Sequence, residues 1–112
     1  MNTDCIFCKI ANNEFNTEFI VENEDVVAFK DINPQAPVHV LVIPKKHYAS
    51  LNEIEDINLM GKLLNGAKEA AAKLGVGDGY RTVLNTGKKA GQEVFHIHLH
   101  VLAGRPFQWP PG

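Results

Sequence analysis

The segment EVFHIHLHVL, residues 93–102, places three of the chain's five histidines at every second position. Because successive side chains of a β-strand point to opposite faces, His96, His98 and His100 would share one face of a strand here. Four apolar residues that alternate with the histidines would point to the other face: Phe95, Ile97, Leu99 and Val101. The chain therefore needs a sheet that packs against a core on one face and presents three imidazoles on the other.

The three imidazoles disfavour one another's protonation, because each added charge would face a like charge. We expect mainly neutral rings near pH 7, and the neutral ring is the form that attacks an electrophile or binds a metal. A polar strand face that merely uses histidine is a reasonable interpretation of a single residue. Three histidines in strict alternation instead favour a functional site that uses the imidazoles for catalysis or metal binding.

The size and charge of the chain limit its functional classes. Its 112 residues are enough for one domain, 1–112. Eleven basic residues against 13 acidic ones give a net charge of −2 without any block of like charge, so we expect neither nucleic-acid nor membrane binding. The N-terminal sequence lacks a basic region followed by a long hydrophobic segment, so we expect a cytoplasmic protein.

The pattern along the chain predicts an α+β fold with strands paired mostly to their sequence neighbours. We expect a short helix at residues 5–12 and one long helix. Five strands are predicted, at Phe19–Val21, at Val26–Phe29, in VHVLVIP, in YRTVLNTG and in EVFHIHLHVLAG.

The long helix shows an apolar stripe and signals at both ends. Ser50 and Glu53 form a capping box at its predicted start, and Gly75 suits a left-handed C-terminal cap. Apolar residues recur between them at three- and four-residue steps: Ile54, Ile57, Met60, Leu64, Ala67, Ala71 and Leu74.

The motif HIHLHVL matches the pattern of the histidine-triad (HIT) superfamily, in which three histidines alternate with apolar residues. The resemblance extends through FKDINPQAPVHVLVIPKKH, NTGKKAGQEVFHIHLHVLAGR and the terminal WPPG, and it is greatest to the Hint branch of nucleoside phosphoramidate hydrolases. It implies a HIT-like fold: a five-stranded antiparallel meander sheet, one long helix and a short N-terminal helix. It also implies a two-fold homodimer whose sheet continues from one subunit to the other.

The resemblance implies an enzyme that cleaves purine nucleoside 5′-monophosphoramidates and adenylates, such as adenosine 5′-phosphoramidate and AMP-lysine, without a catalytic cofactor. His98 would be the nucleophile, carrying a nucleotidyl intermediate that water then cleaves. His96 and His100 would hold the tautomer of His98 and contact the phosphate, and His39 matches a fourth active-site histidine.

The same resemblance assigns the nucleotide pocket. Asp31 would accept hydrogen bonds from the ribose hydroxyls, with Phe29 and Ile32 as apolar walls of a purine slot. Phosphate contacts and main-chain donors would come from Asn85, Gly91, Gln92 and Val94.

Two further residues are assigned less directly. Glu93 stands where many animal Hint sequences carry serine, and it would act as a general acid if it is buried, or else point to solvent. Trp109, in the tail 105–112, would reach the partner's active site and influence substrate choice, or would pack on its own subunit.

The pair CIFC is a C-x-x-C motif with three interpretations: a redox pair, a bystander of a reduced compartment, or two thiolate ligands of a structural zinc. The redox interpretation lacks the preceding strand of thioredoxin-like motifs. By resemblance to some bacterial HIT proteins, Cys5 and Cys8 would bind zinc together with His47 and His96.

Other functions remain open. The chain could be a nucleotide-binding regulatory module with little turnover, or a metal-binding protein, although the latter leaves Asp31 and Asn85 without a role. Dinucleoside polyphosphate hydrolases and nucleotide phosphorylases of the superfamily are rivals. The first of these typically carry Gln for the third imidazole, so His100 argues against them.

Overall fold

A computed structural model describes residues 4–112, and it confirms the α+β fold. Residues 1–3 of the predicted domain lie outside the described part. The elements, in chain order, are helix α1 (Ile6–Ala11), strands β1 (Val21–Glu22), β2 (Val26–Lys30) and β3 (Val38–Pro44), helix α2 (Ile57–Lys73), and strands β4 (Arg81–Val83) and β5 (Leu99–Ala103). Short 3₁₀ turns occupy Leu51–Glu53 and Lys88–Ala90.

Within residues 4–112 the strands form one antiparallel five-stranded sheet in the order β1-β2-β3-β5-β4. The predicted sheet is thus confirmed, with β5 inserted between β3 and β4. The last strand takes this central place because its apolar side chains are buried, whereas β4 is short and half-exposed. In the β3–β5 register, His39 pairs with Leu102 and Leu41 with His100.

The two faces of the sheet pack against different helices. One face carries Val26, Val42 and Leu99, and it forms the main core with Leu59 and Leu63 of α2. Alternate residues of the same strands point to the opposite face, where α1 lies; these are Val27, Phe29, Leu41 and Ile43. The face that carries the histidines is therefore the one covered by α1.

The predicted start of the long helix is wrong. Helix α2 begins at Ile57, where the carboxylate of Asp56 accepts a hydrogen bond of 2.9 Å from the N–H of Asn58. Ser50 and Glu53 do make capping hydrogen bonds, but these close the separate turn at residues 51–53. Gly75 follows the helix with φ of +74°, as its predicted role requires.

The predicted apolar stripe of α2 is only partly correct. The buried positions are Leu59, Leu63, Gly66, Ala67, Ala70 and Ala71. Ile57 and Leu64 are instead 79% and 60% exposed, so the helix has a second, uncovered apolar strip. None of the described helices is both long and apolar enough to cross a membrane.

Candidate active site and metal centre

The three alternating histidines lie at the start of β5, beside α1. The strand begins at Leu99, later than predicted, so that His96 and His98 precede it in irregular backbone. Both are nonetheless buried, and the rings of His98 and His100 lie 5.0 Å apart between centroids. Phe95 was predicted to face the core, but it is 49% exposed because the strand has not yet begun there.

His98 is held in one tautomer by the main chain. Its Nδ1 lies 2.9 Å from the carbonyl oxygen of His96, and because a carbonyl only accepts, Nδ1 carries the proton. The lone pair of the neutral ring is therefore on Nε2. This is the arrangement that a nucleophilic imidazole requires.

His39 and His100 form an ordered pair beside this ring. The main-chain N–H of Gln35 donates to Nδ1 of His39 at 3.0 Å, so the proton of the neutral His39 is on Nε2. That Nε2 lies 2.8 Å from Nδ1 of His100 and donates to it. The proton of neutral His100 is consequently on its own Nε2, and His100 lines the same cleft as His98.

Burial keeps these imidazoles uncharged. Desolvation, then the neighbouring rings of His98 and His39, lowers the pKa of His100 to about 4, against an opposing effect of Asp31. Burial likewise lowers the pKa of His39, again opposed by Asp31. For His96, burial and the nearby His47 and His98 lower the pKa to about 4, although donation to Pro44 opposes them.

A cleft of about 760 Å³ opens between α1, the end of β2 and the segment before β5. This is the size of pocket that holds a nucleotide-sized ligand. The cleft brings together most of the residues predicted for the site: Phe29, Asp31, Ile32, His39, Asn85, Gly91, Glu93, Val94, His98 and His100. Glu93 is exposed at this cleft, so the burial that we attached to a general-acid role is absent.

Gln92, Trp109 and His96 are not among the residues that line this cleft, and the ring of His96, which was predicted to contact the phosphate, lies beside the cysteines instead. The buried amide of Gln92 accepts from the N–H of Gly87 and donates to the carbonyl oxygens of Ala49 and Val94. Gln92 therefore braces the loop instead of facing a ligand. Trp109 is 83% exposed.

The structure adds cleft residues that the sequence analysis missed. From α1 come Ile6, Phe7 and Ile10, and the loop before β3 contributes Gln35. The ring of Phe7 meets those of His98 and Phe29 edge-on, at centroid distances of 5.1 and 5.9 Å. The C-x-x-C motif could have indicated Phe7, because cysteines that approach His96 bring the two residues between them, Ile6 and Phe7, close to His98.

The two cysteines are not joined by a disulfide and lie beside two histidines, in a cluster next to the cleft. Four atoms converge, all within 4.8 Å of one another: Sγ of Cys5, Sγ of Cys8, Nδ1 of His47 and Nδ1 of His96. Nδ1 of His96 lies 3.3 Å from Sγ of Cys5 and 3.2 Å from Nδ1 of His47, and the distance from Cys8 to His47 is 3.3 Å. The structure thus brings together all four predicted ligands.

This cluster has the chemistry of a tetrahedral zinc site. Zn–N bonds near 2.05 Å and Zn–S bonds near 2.3 Å imply N···N and N···S separations of about 3.3 and 3.6 Å, close to those found here. His96 also donates its Nε2–H to the carbonyl oxygen of Pro44 at 2.8 Å, which leaves the Nδ1 lone pair toward the cluster.

A second group of potential ligands, Asp31, His39 and His100, does not fit a metal. Histidines that bind metals generally donate their other ring N–H to an acceptor. The other nitrogen of His39 instead accepts from the N–H of Gln35, so its Nε2 must carry a proton. The hydrogen bonds of His39 and His100 therefore fix which ring nitrogen carries a proton, and leave no lone pair of His39 for a metal.

Comparisons with known proteins agree with this architecture. The model of the HIT domain family matches residues 12–107. A protein of Synechocystis sp. described as an uncharacterized HIT-like protein is 54% identical over the whole of both chains.

Solved structures agree in fold as well. A HIT family hydrolase from Legionella pneumophila superposes with a TM-score of 0.90 at 48% identity, over 96% of this chain and 99% of that one. A histidine triad nucleotide-binding protein from Candida albicans gives 0.82 at 33% identity, over 95% and 82% of the two chains. The match to the family model and the identity to the Synechocystis protein show that the chain belongs to the HIT domain family.

Proposed function

We propose that the protein hydrolyses purine nucleoside 5′-monophosphoramidates and adenylates, as the Hint branch does, through a nucleotidyl intermediate on His98. The observation that carries this proposal is the fixed tautomer of His98, whose Nε2 lone pair belongs to a ring that lines the cleft. Relatives described as a hydrolase and as a nucleotide-binding protein support it.

The first step forms a bond between Nε2 of His98 and the α-phosphorus, and breaks the bond from phosphorus to the leaving amine. Positive charge develops on the imidazole, and the hydrogen bond from its Nδ1–H to the carbonyl of His96 strengthens as it does so. The Nε2–H of His100 donates to a phosphate oxygen as negative charge gathers there. The amine leaves on the side of Glu93, where it takes a proton from a water molecule that the exposed carboxylate orients, and the water that attacks in the second step returns that proton to the solvent.

In the second step, water attacks the same phosphorus and the bond to Nε2 breaks. The products are the nucleoside monophosphate and a neutral His98 in its starting tautomer. Because the His39–His100 pair stays uncharged near neutral pH, it can donate in both steps without having to lose or gain a proton first.

The purine lies between α1 and the end of β2 in this proposal. Phe7, Phe29 and Ile32 supply apolar surface, and Ile32 is fully exposed and so has room to cover a ligand. The carboxylate of Asp31 already accepts from the N–H of Asn33 with one oxygen, at 2.9 Å. Its other oxygen, 3.4 Å from Nε2 of His39, has capacity left to accept from ribose hydroxyls.

Cys5, Cys8, His47 and His96 hold a structural zinc in this proposal. Zinc bound there would supply no chemistry to the reaction; it would join α1 to the segment that precedes β5. The distances and the donation from His96 to Pro44 support this role.

A second copy of the chain completes the functional unit in this proposal. Ile57, Gly61 and Leu64 lie on one side of α2, at spacings of four and three residues, and none of residues 4–112 covers them. The edge strand β4 is paired on one side only within the described sheet, so it has free main-chain groups. Trp109, which lies outside its own subunit's cleft, would contact the partner's cleft.

The deciding experiment is to trap the intermediate. Wild-type protein incubated with a slowly cleaved adenylate and quenched in alkali should carry AMP on His98, identified by mass spectrometry of peptides. His98→Asn and His98→Ala should carry none, and kcat for adenosine 5′-phosphoramidate should fall by about 10³-fold or more.

Substrates other than phosphoramidates test the alternatives. Faster cleavage of diadenosine polyphosphates than of adenosine 5′-phosphoramidate or adenylyl-lysine would show that dinucleoside polyphosphates are the substrates instead of phosphoramidates and adenylates. Tight binding of AMP by wild-type protein, with neither label nor turnover, would instead make the protein a regulatory module. Turnover by His98→Ala at the wild-type rate would overturn the mechanism.

A further inference from the structure

We infer that Arg105 is a positioning residue for the His39–His100 pair, acting through the main chain of Gln35. This inference rests on the proposed function for its kinetic part only. Arg105 is exposed and was not assigned to the site, yet its guanidinium reaches the carbonyl oxygen of Gln35 from Nη2 at 3.2 Å and from Nε at 3.4 Å.

Gln35 connects this contact to the histidines. Its main-chain N–H is the donor that fixes the tautomer of His39, at 3.0 Å, and His39 in turn donates to His100. The side chain of Gln35 also donates to the carbonyl of Asn33 at 3.1 Å, which stiffens the same loop. Hydrogen bonds on either side of Gln35 therefore link the C-terminal tail to His39 and on to the ring of His100, which lines the cleft.

The backbone is built to allow this approach. Gly104 has φ of +93°, and a Cβ there would lie 2.8 Å from Cβ of Pro37, so only glycine lets the chain leave β5 so close to the loop. Arg105 then packs over the ring of Phe107, 4.3 Å from its centroid, and donates to the carbonyl of Pro106. These contacts hold the guanidinium against Gln35 even though it is exposed.

The matched control is Arg81 on β4. It also lies over Phe107, at 5.2 Å, and donates to the carbonyl of Gln108, but the structure gives it no contact with Gln35. Arg81→Ala therefore loosens the tail without breaking the link to His39. Arg105→Lys keeps the charge and can restore one of the two donors.

The first measurement needs no substrate. Long-range ¹H–¹⁵N correlation spectra of the imidazoles should show one neutral tautomer of His39, protonated on Nε2, in the wild type and in Arg81→Ala. Arg105→Ala should show a second population protonated on Nδ1, because the Gln35 amide is no longer held in place. The second measurement is hydrolysis of adenosine 5′-phosphoramidate, where we expect Arg105→Ala to lower kcat by about tenfold with KM nearly unchanged, and Arg105→Lys to recover part of the loss.

A single His39 tautomer in Arg105→Ala overturns the inference, whether or not the protein proves to be a hydrolase. Equal losses of kcat in Arg105→Ala and Arg81→Ala would also overturn it, since they would reflect the tail alone. If no variant cleaves phosphoramidates, the proposed function fails and the spectra still decide the role of Arg105.

Discussion

Nε2 of His39 lies 2.8 Å from Nδ1 of His100, and the direction of this hydrogen bond is fixed from outside the pair. The main-chain N–H of Gln35 donates a hydrogen bond to the other ring nitrogen of His39, Nδ1. Both rings keep these hydrogen bonds only when both are neutral, since a proton on Nδ1 of His39 would face the N–H of Gln35, and a proton on Nδ1 of His100 would face the Nε2–H of His39. The pair thus defines a protonation state as well as a geometry.

Stability should depend on pH through His100. Its pKa is lowered to about 4 in the folded protein, below the ordinary value of 6.5, so the unfolded chain binds more protons between those values. The free energy of unfolding should therefore fall as pH decreases from about 6.5 to about 4. Denaturant titrations at several pH values should show a shallower dependence in His100→Gln than in the wild type. An identical dependence in both would contradict this origin.

Protein purified without chelator should contain about one equivalent of zinc per chain. Cys8→Ser should lose most of that zinc and melt at a lower temperature, because α1 would lose its link to His96. Elemental analysis together with thermal melting tests this. As a control, Ser50→Ala changes a residue outside the cluster and should retain the metal. Less than about a tenth of an equivalent in the wild type would refute the zinc site.

Glu93→Gln should lower kcat for adenosine phosphoramidates by about tenfold, since it removes the one carboxylate assigned to the leaving-group side of the cleft. Because Glu93 is exposed, we expect an effect well below that of His98→Ala. Lys89→Gln is the control, an exposed residue of the same loop that does not line the cleft. Equal turnover of wild type and Glu93→Gln at every pH would exclude Glu93 from the reaction.

The uncovered strip on α2 predicts self-association. Ile57→Lys combined with Leu64→Glu should convert a dimer to monomers, because each change would bury a charge in the interface. Light scattering after size-exclusion chromatography measures the mass directly. Phe15→Lys, at another exposed apolar residue, should leave the assembly intact. A monomeric wild-type protein would contradict the prediction at once.

Gly66 should resist replacement although it lies within a helix. A Cβ there would lie 2.9 Å from Cγ1 of Val42, so overpacking should outweigh the gain of about 1 kcal/mol in helix propensity. We expect Gly66→Ala to lower the free energy of unfolding by about 1 kcal/mol. Combining it with Val42→Ala should cost less than the sum of the two changes. If Gly66→Ala instead raises the free energy of unfolding, the side chain of Val42 must be able to shift at little energetic cost, which contradicts the prediction.

Sequence patterns correctly predicted the side-chain directions of β5, which depend on alternation along a strand. They failed on α2, where two apolar strips could each have packed against the sheet. The side chains of β5 follow the predicted two faces because the pleat enforces them. On α2, Ile57 and Leu64 satisfied helical spacing as well as Leu59 and Leu63 did, and only the packed sheet distinguishes the two strips. Spacing alone cannot tell which of two apolar strips a fold will bury.

The site shows the same limit. Gln92 resembles a phosphate-binding residue in a glycine-bearing loop, yet Gly87, Ala49 and Val94 occupy its amide. Phe7 carries no polar group, so nothing in its own chemistry indicated the cleft. His98 could be located because His96 and His100, its near neighbours in sequence, also lie beside it in the structure.

Cys5 and His96 approach to 3.3 Å although 91 residues separate them. During synthesis, α1 therefore leaves the ribosome long before the histidine that anchors it has been translated. A contact this distant in sequence closes a long loop, and the chain entropy lost on closure slows its formation. The wall that carries Phe7 is thus the first part of the cleft to be synthesised, and a nascent chain has no complete cleft until its final strand emerges.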